Sequence, residues 1–364
     1  MYSTLDCTYM THALRLAEHG LYTATPNPRV GCVIVNKHQI VGEGAHLKAG
    51  EPHAEVFALR QAGEKANGAD IYVTLEPCSH TGKTPPCVSA VIAAKPRRVI
   101  VAMQDPNPLV AGRGITAMRE AGIEVLVGVL EQQANALNIG FVSRMTRGLP
   151  YVRCKIAASL DGKTALNNGK SQWITSESAR LDVQKWRAQS CAIVTGIGTV
   201  LADNPSMTVR LPNTTRQPLS VIVDQHLQTP PTANILKNAH TLIAFADDPN
   251  QQADLLKATG ANLMHFPNAN GRVDLRALLQ HLAQRGINEV LLEAGQGLNG
   301  AFLQAGLIDE LILYYAPKLM GADAKGMLAM PAFTTMQQAI DLDIVDMRHV
   351  GVDIRLRAKP IKVP

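Results

Sequence analysis

The sequence is poor in aromatic residues, with Phe, Trp and Tyr together at 4%, and poor in charge, with Asp, Glu, Lys and Arg at 18%. A nucleic-acid surface usually joins stacking rings to a concentrated basic field. Here Lys plus Arg number 14 against 12 Asp plus Glu up to Gly148, and 21 against 18 beyond it, so the net +5 splits evenly as +2 and +3. No basic tract or Arg-rich arm stands out, which argues against a nucleic-acid partner. A mild positive bias suits small phosphorylated ligands instead. No apolar run reaches the roughly 18 to 20 residues of a membrane span, and the opening MYSTLDCTYMTHALRLAEHG lacks a basic start followed by an apolar block. The expectation is a soluble, cytoplasmic protein with no membrane partner. Cysteine is also sparse: Cys7, Cys32, Cys78, Cys87, Cys154 and Cys191. In a cytoplasmic chain disulfides are not expected, so metal ligation or burial accounts for them.

What the chain has is apolar material, 46% of 364 residues. That excludes a disordered chain and fills two sizeable cores, at roughly 150 residues per domain. The first 145 or so residues alternate in type. Helices are expected over Tyr9–His19, Glu51–Lys65, Val88–Ala94 and Ile115–Ala121, with Pro52 at the first position of the second. Strands are expected over Gly31–Val35, Ile71–Leu75 and Arg98–Met103 and around Val125. This order implies a mainly parallel sheet covered by helices. The pattern breaks at Arg144–Pro150 (RMTRGLP), which divides the chain into domains 1–147 and 148–364. Strands follow at Tyr151–Ala157, Ala192–Thr195, Ser220–Asp224, Thr241–Phe245 and Val290–Glu293. Helices at Ser178–Ala188 and Leu275–Arg285 lie among them, and Ile344–Met347 with Val352–Leu356 reads as an antiparallel hairpin.

The strongest chemical signal is His53-Ala54-Glu55, then Glu76-Pro77-Cys78, then Cys87. One imidazole and two thiolates form a soft set suited to Zn²⁺, leaving its fourth position for water. Zinc brings the pKa of that water to around 7. Glu55 then serves as the catalytic acid/base, taking the water proton and passing it to a leaving amine. This His-x-Glu…Pro-Cys order is the arrangement of zinc deaminases. Two features depart from it. Positions i and i+2 of an ideal helix point about 200° apart, so His53 and Glu55 share one metal only if the helix N-terminus is aimed at the site. Thr81 also stands where a Cys-x-x-Cys motif puts its second thiolate. A closed structural zinc, with His80 as fourth ligand, is the rival reading.

The stretches TPNPRVGCVIV, GEPHAEVFAL, YVTLEPCSHTGKTPPC and MQDPNPLVAGRG resemble the deaminase half of the bifunctional deaminase–reductase family of riboflavin biosynthesis. KIAASLDGKTA, SQWITS, VLADNPSMTVR, LLEAGQGLNGAFLQAG and DELILYYAPKLMG resemble its reductase half. In that family the wider Cys-x8-Cys spacing is the rule. The resemblance covers nearly the whole chain. It implies an α/β protein, with an N-terminal cytidine-deaminase-like α/β/α sandwich and a C-terminal dihydrofolate-reductase-like α/β domain. It further implies two reactions: deamination of 2,5-diamino-6-ribosylamino-4(3H)-pyrimidinone 5′-phosphate, then NADPH reduction of the ribosyl group to ribityl. His53, Cys78 and Cys87 are implied as zinc ligands, and Asn27, His46, His80, Lys83, Asp105 and Asn107 as deaminase substrate contacts. A homo-oligomer, dimer or tetramer, is the family's habit.

In the second domain, Gly295 to Gly300 has the G-x-G-x-x-G spacing between an apolar strand and a helical segment, a context that holds a pyrophosphate on backbone N–H groups. About 20 residues on, near Met320, no acidic ribose anchor follows; Asp323 is nearest, which argues against an ordinary NAD fold. By resemblance the cofactor contacts are Ala157, Trp173, Thr199, Asp203, Gly295, Gln296, Gly297, Leu298, Asn299, Gly300 and Ala301. The reductase substrate contacts are Ser171, Arg187, Met207, Arg210, Glu293 and Lys155, with Arg187 and Arg210 suited to gripping a phosphate. Asp161 is a further candidate for the ribose hydroxyls. Gln225 stands where many relatives have Ser. A cytidine or tRNA-adenosine deaminase with an unrelated second domain, and a zinc-stabilised binding module without catalysis, are the alternatives.

Overall fold

Ser3 starts the first helix, α1 (Thr4–Glu18), earlier than the expected Tyr9. Its hydroxyl accepts the Asp6 N–H at 3.2 Å, and the Asp6 carboxylate accepts the Ser3 N–H at 2.7 Å. Such a reciprocal cap satisfies two otherwise orphaned donors. The computed structural model describes residues 2–79, 86–108 and 110–361 and divides into two units, Met1–Leu149 and Pro150–Pro364. Among the described residues no helix is long and apolar enough to cross a membrane.

In the first unit β1 (Gly31–Asn36) and β2 (Gln39–Ala45) form a hairpin around Lys37 and His38, both at positive φ. Then come α2 (Ala54–Ala62), β3 (Asp70–Val73), α3 (Cys87–Ala93), β4 (Arg98–Val101), α4 (Arg113–Glu120), β5 (Glu124–Val127), α5 (Glu131–Leu137) and α6 (Ile139–Arg147). The sheet order is β2-β1-β3-β4-β5. Only β3, β4 and β5 are parallel; β1 is antiparallel to both neighbours. The mainly parallel expectation is corrected here because a two-residue turn can only reverse the chain. Strand β2 escaped notice since Gly42 and Gly44 blunt its apolar pattern. They serve packing: a Cβ on Gly42 would lie 2.2 Å from the Ala58 carbonyl oxygen, and one on Gly44 2.1 Å from that of Ala54. Helix α2 therefore lies directly on β2, which sets the height of its N-terminus above the sheet.

The second unit holds β6 (Tyr151–Ser159), β7 (Lys163–Ala165), α7 (Glu177–Gln189), β8 (Ala192–Gly196), α8 (Ile197–Asp203), β9 (Leu219–Val223) and β10 (Thr241–Phe245). It continues with α9 (Ala253–Ala258), β11 (Asn262–His265), α10 (Leu275–Gln284), β12 (Glu289–Leu292), α11 (Gln296–Gln304), β13 (Glu310–Ala316), β14 (Lys325–Gly326), β15 (Leu342–Val350) and β16 (Asp353–Pro360). The large sheet runs β11-β10-β9-β8-β12-β6-β13-β16-β15, parallel as far as β13. The C-terminal hairpin is antiparallel as expected, though longer. Central strands such as β8 and β12 are buried on both faces, which is why they read as continuous apolar runs. The chain leaves β8 toward one edge of the sheet and β12 toward the other. A crevice forms at such a reversal, beyond the carboxyl ends of the strands.

Candidate active sites

In the first unit His53 is not inside a helix. It is the N-cap of α2, with extended backbone at φ −76° and ψ 166°, and Pro52 precedes the cap and does not open the helix. That placement removes the 200° objection: His53 leaves the chain before helical rotation begins, whereas Glu55 sits in the first turn. Cys87 opens α3, and Cys78 lies in the segment after β3. The ligand atoms of His53, Cys78 and Cys87 all lie within 4.8 Å of one another. His53 Nδ1 is 3.1 Å from Cys87 Sγ and 3.6 Å from Cys78 Sγ. A tetrahedral zinc with ordinary bond lengths sets N···S edges of about 3.6 Å, so this donor set fits the ion. The Cys78 thiol is drawn down to about 4, first by its hydrogen bond with Cys87 and then, against the cost of burial, by His53 and the Cys87 N–H. Cys78 is thus set up as a thiolate.

Glu55 is buried, and its Oε2 has no hydrogen-bond partner among the described residues. Burial pushes its carboxyl up to about 7, partly opposed by His53. A carboxyl that gains and loses a proton near neutrality is suited to proton transfer. His46, also buried, packs edge-on to the His53 ring at 5.2 Å. Its Nδ1 faces the Pro52 carbonyl at 3.3 Å, which can only accept, so Nε2 accepts the Asn27 Nδ2–H at 3.0 Å. Burial lowers the His46 pKa and keeps the ring neutral. Asn27 and His46 therefore stand as one unit beside the cage. Asp105 Oδ1 accepts the Asn107 N–H at 2.8 Å and shapes a turn. His80 and Lys83 lie outside the described residues, so the four-ligand alternative through His80 is not described either.

The second unit has a cavity of about 830 Å³ where β8 and β12 end. Lys155, Ala157, Ser171, Trp173, Arg187, Thr199, Asp203, Met207, Arg210 and Glu293 line it, as do Gly295 to Leu298. A Cβ on Gly295 or Gly297 would meet nothing within 4 Å, so both glycines open onto free space at the start of α11. That cradle fits a dinucleotide pyrophosphate.

The RibD C-terminal domain family matches residues 150–356, and the cytidine and deoxycytidylate deaminase zinc-binding region matches residues 3–103. The riboflavin biosynthesis protein RibD of Escherichia coli K12 is 48% identical over 96% of this chain and 98% of its own. Its namesake from Bacillus amyloliquefaciens is 48% identical over 97% and 95%. The solved structure of Acinetobacter baumannii RibD, form 1, matches with a TM-score of 0.92 at 48% identity, covering 98% and 99% of the two chains. The chain belongs to the RibD family. It is a bifunctional enzyme of riboflavin biosynthesis, a deaminase and a reductase whose cofactors are zinc and NADPH. The deaminase with an unrelated second domain is not favoured, because the RibD match covers that domain too.

Within this RibD-family fold several expected contacts behave differently. Asn299, Gly300 and Ala301 do not line the cavity. Asn299 is buried, and its Nδ2–H donates to the Ala294 carbonyl at 3.0 Å. A Cβ on Gly300 would lie 2.1 Å from the Ala329 oxygen, so this third glycine serves packing. Arg187 does not present an open fork: Nε and Nη2 donate to Glu293 at 2.6 and 3.1 Å, and Nη1 to the Thr208 carbonyl at 3.1 Å. Arg210, exposed at the rim, is the arginine turned to solvent. Asp161 is occupied by Ser159 and by the Met320 and Gly321 N–H groups. Trp173 is 64% exposed and stacks under Arg180 at 4.5 Å, so it is not core. Gln225 lies away from the cavity lining. Sequence reasoning gave no role to Glu76, whose buried carboxylate gathers backbone N–H groups from residues 29 to 39 positions away and leaves no local signature, nor to Arg180, which donates to the Thr175 carbonyl and lies over the Trp173 ring.

Proposed function

We propose that the first unit deaminates 2,5-diamino-6-ribosylamino-4(3H)-pyrimidinone 5′-phosphate and that the second reduces the ribosyl group of the resulting uracil to ribityl. The observation carrying this reading is the His53–Cys78–Cys87 cage with Glu55 buried beside it, accompanied in the other unit by a glycine-floored cavity. Zinc, when bound by His53, Cys78 and Cys87, supplies the Lewis acidity that makes water nucleophilic near neutral pH. Glu55 accepts the proton of the attacking water and returns it to the amine, which leaves as ammonia. Asn27 and His46 present a fixed amide and a neutral imidazole to the polar pyrimidine, and the Asp105–Asn107 turn contributes further polar contacts.

NADPH supplies the hydride for the second reaction. Gly295 to Leu298 would hold its pyrophosphate, and Ala157, Trp173, Thr199 and Asp203, which line the same cavity, would contact the rest of the cofactor. Glu293, flanked by Arg187 and by Lys155 Nζ at 3.9 Å, faces the ribose, and Arg210 meets the phosphate. Burial would raise the Glu293 pKa, but Arg187 and Lys155 more than offset it and keep the carboxylate ionised. Orientation of ribose against nicotinamide is most of what these residues contribute.

Among the described residues no strand pairs with the outer edge of β15, and its Leu342, Ile344 and Met347 are exposed, which supports a homodimer through this hairpin; light scattering coupled to size exclusion tests it. Six free cysteines, two of them in a metal cage, suit a reducing, cytoplasmic setting. The decisive experiment follows NADPH absorbance with the diaminopyrimidinone phosphate, with and without a zinc chelator. Chelator-sensitive consumption is expected, because reduction waits on deamination. The absence of both ammonia release and NADPH consumption would refute the assignment.

A further inference from the structure

Glu76 lies two residues before Cys78 and is 2% exposed. Its carboxylate accepts four backbone N–H groups. Oε2 takes those of Asp105 at 3.1 Å and Gly112 at 2.9 Å; Oε1 takes those of Gly114 at 2.8 Å and Ile115 at 3.2 Å. Asp105 lies in the first half of the β4–α4 connection, Gly112 closes it, and Gly114 and Ile115 lie in the first turn of α4, so a single side chain ties the Asp105 turn to the start of that helix. No local group does this work, because the N-cap of α4 is Gly112, at φ +77° and without a side chain. An ionised carboxylate is the group that suits the task. It offers about four acceptor positions and no proton, and the N-terminal dipole of α4 favours its charge. The approach is close: a Cβ on Gly114 would lie 2.3 Å from the Pro77 carbonyl oxygen and 3.2 Å from Glu76 Oε1. The Glu76 N–H is itself anchored to the Met103 carbonyl at 3.0 Å.

Asp105 and Asn107 lie inside the segment so closed. We propose that Glu76 is a positioning residue for deaminase substrate binding, holding the Asp105–Asn107 turn in register with the Cys78 side of the zinc cage. The inference rests on the reading above that this turn contacts the pyrimidine. Glu76→Gln exchanges one acceptor oxygen for an NH₂ donor, so two of the four N–H groups lose their acceptor and the turn relaxes. The cage has contacts of its own, among them the Cys87 N–H donating to Cys78 Sγ at 3.3 Å, and keeps its metal.

The test uses the full chain carrying Glu76→Gln, with zinc content and both activities measured. Asp105→Ala and Asn107→Ala are measured alongside. The deaminase KM is expected to rise roughly tenfold or more while kcat stays within about threefold. Zinc content and reduction of the ready-made uracil substrate are expected to match the unaltered protein. If the Asp105 and Asn107 variants leave KM unchanged, the turn is not a substrate contact and both readings fall. If they raise KM and Glu76→Gln does not, only the positioning role is overturned. A loss of zinc with falling kcat and unchanged KM also overturns it, since Glu76 would then serve the cage alone. Amide hydrogen exchange of the unaltered protein gives a check that needs no variant to fold. Slow exchange at Asp105 and Gly112, outside any helix or strand, is expected, and open-loop rates there would refute the clamp.

Discussion

Replacing Glu55 by Gln keeps the side chain's size and removes its proton chemistry, and the surroundings of Glu55 fix how much that should cost. Its Oε2 is buried without a partner among the described residues, so an amide enters the same space with no described hydrogen bond to break there. Among the described residues no neighbour can take over as proton carrier. His46 is held between Asn27 and the Pro52 carbonyl, and His53 and the two cysteines belong to the metal cage. The full contribution of general acid–base catalysis is therefore lost, about two to four decades. At about 1.4 kcal/mol per decade this raises the barrier by roughly 3–5 kcal/mol, and with no substitute carrier among the described residues the upper half of that range is expected. Both substrates can be assayed through NADPH absorbance. The diaminopyrimidinone phosphate reports on deamination followed by reduction, and the ready-made uracil on reduction alone. The variant should fail with the first and match the unaltered enzyme with the second, with zinc content unchanged. A deamination loss under tenfold, or a parallel loss of reduction, would refute the reasoning.

Glu293→Ala leaves Arg187 buried without its carboxylate and is expected to destabilise the second unit by about 3–5 kcal/mol, read by thermal unfolding; a cost below about 1 kcal/mol would mean that water or the Thr208 carbonyl suffices. The glycines of the 295–300 turn should separate into two kinds. Gly297→Val projects into open cavity and should raise the KM for NADPH roughly tenfold or more with little change in Tm, whereas Gly300→Ala meets the Ala329 carbonyl and should cost about 1–3 kcal/mol of stability. Equal behaviour of the two would contradict the assignment. Burial would raise the Asp6 carboxyl, but the Ser3 N–H, the Tyr72 and Ser3 hydroxyls and Arg98 hold it below the ordinary aspartate value. A depressed carboxyl stabilises above its unfolded pKa and loses that contribution as pH falls through the folded value. Acid unfolding of the first unit should accordingly be less steep below about pH 4 in Asp6→Asn, and circular dichroism during acid titration would show it.

The positions of most elements and of the zinc cage were legible in the sequence because their signals are local. Apolar periodicity marked α7 and α10, and continuous apolar runs marked β8 and β10. The residue types and spacing of His53, Glu55, Cys78 and Cys87 marked the chemistry, since only soft donors next to a carboxylate make that set useful. The cap at Ser3 was equally local but went unread, because capping extends α1 into a polar stretch with no apolar stripe.

What the sequence determined by itself is the inventory: two α/β units, a soft three-ligand set, an acid/base and a glycine turn. Tertiary structure decided which groups face one another. Asn27 meets His46, Glu76 meets N–H groups from residues 105 to 115, and Arg187 spends its fork on Glu293. Of the glycines in one motif, Gly295 and Gly297 face a cavity and Gly300 faces a carbonyl. The physical reason is range. Periodicity, capping and ligand type act over a few residues, whereas these pairings join segments that are brought together only when the sheets order their strands and the helices settle on them.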